Sequence, residues 1–303
     1  MALTRKIRKA YKSKPTIEGA GVHLKRAFGF GDVHSFDPFL LLDDFRSLDP
    51  PLYLKGFPWH PHRGIETITY VLAGRVEHAD SMGNSGIIGP GDVQWMTAGS
   101  GIIHQEMPKG DPGGVMAGFQ LWANLPASQK MMDPRYREVK ADTIPRVTTS
   151  DGTEVSIVSG KFGRTSGPVH HVVIEPEYFD VSVPAGGRFV HATPPGYTAV
   201  AYVIDGTACF SDFENPFSYD AEGVNYFDLK RESMPTDGTL ILFDDGEGIT
   251  VTAGDRGVRF IFLSGKPLRE PVAWYGPIVM NTREQLQTAF EEYEKGTFIK
   301  FHG

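Results

Sequence analysis

One cysteine, Cys209, stands among 303 residues. That scarcity excludes an intrachain disulfide and any cysteine-built metal cluster, and it suits a reducing interior. Long hydrophobic runs are missing too. Nothing approaches the roughly 18 apolar residues of a membrane span, and no apolar segment follows the basic N-terminus as a secretory signal requires. The chain is therefore expected to remain where it is made, in the cytoplasm, with the nucleus open to it in a eukaryotic cell. An excess of positive charge is also lacking: the formal net charge is −7, which gives no bulk reason to bind nucleic acid. Arg5, Lys6, Arg8, Lys9, Lys12 and Lys14 do gather basic charge at the start. Such a cluster can serve as a nucleic-acid patch or localisation signal, but beside an acidic remainder it reads as a solvated, partly frayed terminus.

Helical periodicity is almost absent. Instead, 35 glycines and 22 prolines interrupt short alternating or β-branched runs such as Thr67–Leu72 and Val155–Val158, the pattern of an all-β protein. One exception begins at Thr282, where Thr282-Arg283-Glu284-Gln285 has the form of a capping box. Leu286, Ala289, Phe290 and Tyr293 follow at helical spacing before Gly296. This predicts a single C-terminal helix laid on a barrel. A length of 303 residues exceeds what one core usually organises, so two domains are expected. The polar stretch 133–150, carrying Pro134 and Pro145, is the expected linker, which divides the chain into 1–138 and 139–303.

Two short segments carry the chemistry. His60-Pro61-His62 and His104-Gln105-Glu106 each set two metal-type side chains two residues apart within or beside strand-like sequence. Residues i and i+2 of a strand face the same way, so two neighbouring strands could surround one ion with four ligands. Imidazole plus carboxylate suits iron, manganese, nickel, copper or zinc, and leaves open positions on a metal that prefers five or six ligands. His23, His78, His170, His171, His191 and His302 lack such pairing and read as ordinary strand or surface residues. Glu66 competes for the carboxylate position, because it lies four residues after His62 with the same strand parity.

The run from Gly56 to Gly74 and the run from Gly89 to Pro108 resemble the cupin signature, and in detail the pirin family. Asp37–Asp43, Phe119–Trp122, Pro267–Pro271, Gly276-Pro277 and Met280-Asn281-Thr282 also resemble pirin segments, so the likeness spans nearly the whole chain. It implies two cupin-type antiparallel β-barrel (jelly-roll) domains in tandem, followed by the C-terminal helix. It further implies a metal, iron(II) foremost, held by His60, His62, His104 and Glu106, with Glu66 left to support a ligating imidazole.

Repetition within the chain points to one ion. Tyr70–Gly74 has a counterpart in Tyr202–Gly206, and Gly91–Glu106 can be laid without gaps on Gly238–Ala253. In that register the four ligand positions fall on Ala192, Pro194, Val251 and Ala253, none of which binds metal through its side chain. The second half is thus expected to keep the fold and discard the ion. It also carries a longer connection over 211–234, with Asp212, Glu214, Asp220 and Glu222, which reads as a tolerated surface insertion.

Phe57, Trp59, Trp95, Met96, Phe119 and Trp122 surround the motif, and about half are expected to line a pocket for a flat ligand, since alternation alone cannot divide them. Asp43-Asp44 is assigned no catalytic role. Two functions follow from the resemblance. One is a quercetin 2,3-dioxygenase acting on a flavonol and dioxygen, with Glu106 or Glu66 taking the flavonol hydroxyl proton and the central ring opening with release of carbon monoxide. The other is an iron-dependent, redox-sensitive regulator that docks on a protein partner. A metal-dependent isomerase, or a dioxygenase of other substrates, is a third, because fold is weak evidence for function.

Overall fold

Strands dominate the computed structural model, which describes residues 4–211, 219–222 and 234–301. The chain divides into two compact units, Pro15–Ala141 with Leu268–Gly303, and Met1–Lys14 with Asp142–Pro267. They are called the first and second unit below.

The first unit carries two main sheets, beside a two-stranded one formed by Ala273–Tyr275 and Ile278–Met280. The larger runs Arg135–Val139, Val93–Thr97, Ile65–Ala73, Ala117–Asn124, Phe39–Asp44, Val22–Phe28, Lys14–Glu18 in spatial order. The smaller runs Phe57–His62, Ile102–Lys109, Arg75–Asp80, Ser85–Ile88. The pairings within these two sheets are antiparallel where partners are resolved, as in a jelly-roll cupin. Leu40, Ile65, Met96, Ala98, Ile102 and Val279 form one apolar cluster, and Val22, Leu24, Phe45, Tyr53, Val71 and Val76 belong to another. Burying each of the Val, Leu, Ile, Met and Phe side chains among these stabilises by about 1.5–3 kcal/mol relative to leaving it exposed.

The second unit has a main sheet, whose long strand Gly248–Gly265 pairs with Arg188–Ala192 near its start and with Glu177–Val183 near its end, and a two-stranded one, Lys161–Phe162 with Thr165–Ser166. Its main apolar cluster is rich in phenylalanine, with Phe179, Phe189, Phe210, Phe243, Phe260 and Phe262.

Three expectations are corrected. The capping box is present, with Gln285 N donating to Thr282 Oγ1 and Thr282 N donating to Gln285 Oε1, and it opens the helix Arg283–Glu294. That helix, expected at the end of the second domain, packs in the first unit, where Ala289 joins Ile278, Met280 and Phe298. Conversely, the basic N-terminus is ordered. Ile7–Lys12 is a strand of the second unit paired with Thr239–Phe243, because Ile7, Ala10 and Tyr11 have apolar faces to bury. Arg5 is buried and donates to Thr193 Oγ1 and to the carbonyls of Pro194, Tyr197 and Asp244. Lys9 and Lys14 both pair with Glu222. The expected linker also holds structure, since Arg135–Val139 and Arg146–Thr148 are strands and the chain passes between units at Ala141. Of the acidic residues in 211–234, Asp220 and Glu222 lie on a short strand beside the N-terminal one, while Asp212 and Glu214 are outside the described residues. No described helix is long and apolar enough to cross a membrane.

Candidate metal centre

His60 and His62 lie on the strand Phe57–His62, and His104 on its antiparallel neighbour Ile102–Lys109, with His104 directly opposite His60. Alternation sends all three rings to one face. The ring centroids stand 4.4–5.0 Å apart, and one nitrogen from each ring falls within 4.8 Å of the others. Just beyond His62 the chain turns sharply into Ile65–Ala73. Gly64 makes that turn at φ +79°, where an added Cβ would stand 2.0 Å from the Val279 carbonyl oxygen. Buried Arg63 fixes the same turn, donating to the carbonyls of Ser100 and Phe298, and buried Lys130 donates to the carbonyls of Gly64 and Val279 and to Asn124 Oδ1.

The hydrogen bonds fix which nitrogens are free. Nδ1 of His60 lies 2.8 Å from the Pro58 carbonyl, and Nδ1 of His62 lies 3.0 Å from that of Pro277. A carbonyl only accepts, so both Nδ1 atoms carry the proton. Their Nε2 atoms, left as lone-pair donors, face each other at 3.1 Å. Two lone pairs so close call for a cation between them, and about 3.0–3.3 Å is the separation expected of two nitrogens each ~2.1 Å from one ion. His104 Nε2 is buried with no hydrogen-bond partner, which marks a missing ligand. Burial, with the neighbouring imidazoles adding to it, holds both His62 and His104 well below the usual imidazole range. Both therefore stay neutral, as metal ligands must. These residues fit a transition-metal ion.

The two candidate carboxylates separate. Glu106 is buried, with Oε2 4.0 Å from His104 Nε2. Its Oε1 accepts from the Thr69 hydroxyl at 2.9 Å, and its Oε2 from the Gln120 amide at 2.9 Å. It stands beside the imidazoles, but its oxygens fall outside the tight three-nitrogen group. Glu66 lies elsewhere. Thr69, Gln120 and Trp122 face the site, and Glu66 has the opposite parity to Thr69 on the same strand, pairing with Thr97, whose hydroxyl donates to it at 2.7 Å. Burial raises its pKa, against the pull of Thr97 and of Arg135 and Arg137. The parity count from His62 fails because the Arg63-Gly64 turn intervenes, so the structure does not bring Glu66 to the imidazoles as support or as base.

An open cleft of about 590 Å³ leads to His60 and His62, lined also by Phe57, Trp59, Trp122, Trp274 and Pro277. Of the six expected pocket residues, Phe57, Trp59 and Trp122 line it, whereas Trp95, Met96 and Phe119 are core. Trp274 lies far from the motif in sequence, and nothing in the spacing signalled it. Asp43, given no catalytic role, also lines the cleft, held by a two-pronged bond from Arg26 at 2.8 and 2.7 Å. His78 bonds Tyr136 through Nε2 at 2.7 Å and stays outside the imidazole group.

Strand pairing corrects the register of the second unit. Tyr70 lies opposite Val93, and Tyr202 opposite Leu240, as the gapless alignment requires. His104 pairs with His60 and Ile102 with His62, while Val251 pairs with Phe189 and Ile249 with His191. The positions matching His60, His62, His104 and Glu106 are therefore Phe189, His191, Val251 and Ala253, rather than Ala192 and Pro194 for the first two. One nitrogen donor stands at four positions. Among the described residues the imidazole trio is the single group arranged to hold an ion.

A jelly-roll carrying this nitrogen set on facing strands defines a cupin with a candidate metal centre. The family model described as Pirin matches residues 21–123, and that described as Pirin C-terminal cupin domain matches residues 178–299. A Pseudomonas aeruginosa protein provisionally named a quercetin 2,3-dioxygenase is 40% identical over 98% of this chain and 99% of its own. Human Pirin is 34% identical over 97% of this chain and 93% of its own. A crystal structure described as quercetin 2,3-dioxygenase from Acinetobacter baumannii superposes with a TM-score of 0.83 at 28% identity, over 97% of this chain and 98% of that one. The chain belongs to the pirin family.

Proposed function

We propose that the first unit is a metal-dependent dioxygenase that opens the ring of a flavonol such as quercetin, with His60, His62, His104 and Glu106 as the donor set. The observation that carries this reading is the convergence of three imidazoles, of which His60 and His62 line an aromatic cleft of about 590 Å³, a size suited to a small flat ligand. An iron(II) ion held there supplies Lewis acidity and open coordination positions; manganese, nickel, copper and zinc accept the same donors. The names of the Acinetobacter and Pseudomonas relatives support the substrate class.

The residues divide the work. Trp59, Trp122 and Trp274 offer faces on which a planar ring system can lie. Trp122 sits edge-on to His62, with ring centroids 5.0 Å apart, and its indole N–H reaches Gln120 Oε1 at 3.3 Å. Gln120 in turn holds Glu106, so a ligand seated on Trp122 is coupled to the carboxylate through one amide. Glu106 takes the proton from the flavonol hydroxyl beside the carbonyl, and the Thr69 and Gln120 hydrogen bonds keep that carboxylate aimed. Oxygen uptake by iron-loaded protein supplied with quercetin tests this. Uptake should be abolished in His62→Ala and absent with a flavone lacking that hydroxyl. Correctly metallated protein that consumes no oxygen with any flavonol would overturn the enzymatic reading in favour of a regulatory, protein-binding role.

A further inference from the structure

Four side chains lie directly opposite one another on neighbouring strands of the larger sheet of the first unit: Arg26, Asp43, Gln120 and Thr69. Residues paired in this way share a face. Arg26, Asp43 and Gln120 also line the open cleft. Hydrogen bonds close the row at both ends. Arg26 donates through Nε and Nη2 to the two Asp43 oxygens at 2.8 and 2.7 Å, and through Nη1 to Glu18 at 2.9 Å. At the other end the Gln120 amide donates to Glu106 Oε2 at 2.9 Å and to Thr69 Oγ1 at 3.3 Å.

Between Asp43 and Gln120 the row is open. The Glu106 carboxylate only accepts, so the Gln120 nitrogen has to face it, and both amide protons are spent on Glu106 and Thr69. What remains on Gln120 is Oε1, which takes a long 3.3 Å bond from the Trp122 indole and keeps a lone pair. Asp43 is an acceptor too. Burial pushes its carboxyl up, but the guanidinium gripping it only donates, and each oxygen keeps a second acceptor position. Two acceptors thus stand on neighbouring strands in the cleft wall with no protein donor between them. Opposite residues of such a pair have Cβ atoms about 4.5–5.5 Å apart, a span that two adjacent hydroxyls of one ring can serve.

The surroundings narrow the ligand further. Trp59, Trp122 and Trp274 in the same cleft favour a flat aromatic ring. Glu18, Arg26 and Asp43 sum to one negative charge, which disfavours an anionic group. We infer that Asp43 and Gln120 form a subsite for a pair of adjacent ring hydroxyls, one donating to each, on an uncharged aromatic ligand. Taking that ring as part of a flavonol rests on the dioxygenase reading; the preference for a vicinal diol does not.

Binding to metal-free protein tests the subsite without turnover and without chelation by an ion. Quercetin carries two adjacent hydroxyls on its pendant ring, kaempferol one and galangin none. Affinity should fall in that order, by about 10–100-fold overall for the loss of bonds to a charged acceptor. In Asp43→Leu the three should bind within severalfold of one another. If that change disturbs folding by leaving Arg26 half paired, Arg26→Met combined with Asp43→Leu removes the pair together. Crystals of metal-free protein soaked with quercetin should place the two hydroxyl oxygens about 2.5–3.0 Å from Asp43 and from Gln120 Oε1. Equal affinity for quercetin and galangin, no binding of quercetin, or a preference that survives the loss of Asp43 overturns the inference. Oxygen uptake without the diol preference would keep the dioxygenase reading and remove the subsite, and the diol preference without oxygen uptake would do the reverse.

Discussion

Around Glu106 the first unit keeps Asp43, Thr69 and Gln120, whereas the second, at the positions matched by strand pairing, has Phe179, Ala201 and Phe262. His60 and His104 likewise become Phe189 and Val251. Only His62 keeps its type, as His191, and there the ring is enclosed by Phe162, Phe179, Phe189 and Phe262 at centroid distances of 5.1–6.2 Å. Its Nε2, the atom left free on His62, bonds Glu177 at 3.0 Å. One scaffold therefore carries two interiors. Where polar side chains hold a donor set the first unit retains an open cleft, and where phenylalanines replace them the second closes into core. The polar interior is costly unless something satisfies it, and His104 Nε2 remains unsatisfied without an ion.

The largest effect that could break this contrast is on metal retention. His104→Ala should lower metal content by more than the roughly 10–100-fold that loss of an outer partner costs, while Val251→Ala at the matching place should leave it unchanged. Elemental analysis decides, and equal retention in both variants would dissolve the distinction between the units. Next comes stability. Phe262→Ala should destabilise by about 3–5 kcal/mol in denaturant titrations because it opens a cavity in a packed core, with bound metal unaffected. Gln120→Leu, its counterpart, should instead weaken metal retention or activity by about 10–100-fold through the freed Glu106 carboxylate.

Acid offers a further comparison. In the folded apoprotein His62 and His104 resist protonation, whereas in the unfolded chain they titrate near about 6.5. Below that value the unfolded state binds the extra protons, so apoprotein stability should fall with pH by up to about 1.4 kcal/mol per unit for each imidazole, and level off above it. A flat stability profile across pH 5–7 would mean that these rings are not held neutral. The smallest effect concerns the two glutamates. Glu106→Gln should alter the metal's spectroscopic signature, and Glu66→Gln should leave it alone, since Glu66 faces Thr97 on the far side of the sheet.

How much of this could be read from the chain depended on whether local geometry was enough. The His-x-His and His-x-Glu spacing fixes a face of a strand whatever the rest of the fold does, and Thr282 with Gln285 fixes a helix start; both arise within a few residues. Glu66 misled because counting parity assumes an unbroken strand, and Gly64 breaks it with a turn imposed by the close Val279 carbonyl. Phe189 and His191 could not be placed by eye because the stretch between them and Tyr202 is longer than that between His60 and Tyr70, so only hydrogen-bonded pairing sets their register. The exchange of chain ends between units was likewise invisible: a basic strand and an amphipathic helix each announce a face to be buried, but not which sheet buries it.

The central claim, that the metal chemistry belongs to the first unit alone, is tested most directly by an anomalous-scattering map at the absorption edge of the metal that copurifies with the protein. One peak per chain is predicted, bonded to Nε2 of His60, His62 and His104 at about 2.0–2.2 Å, with none near His191 and Glu177. A peak at His191, or a metal lying away from the three imidazoles, would contradict it.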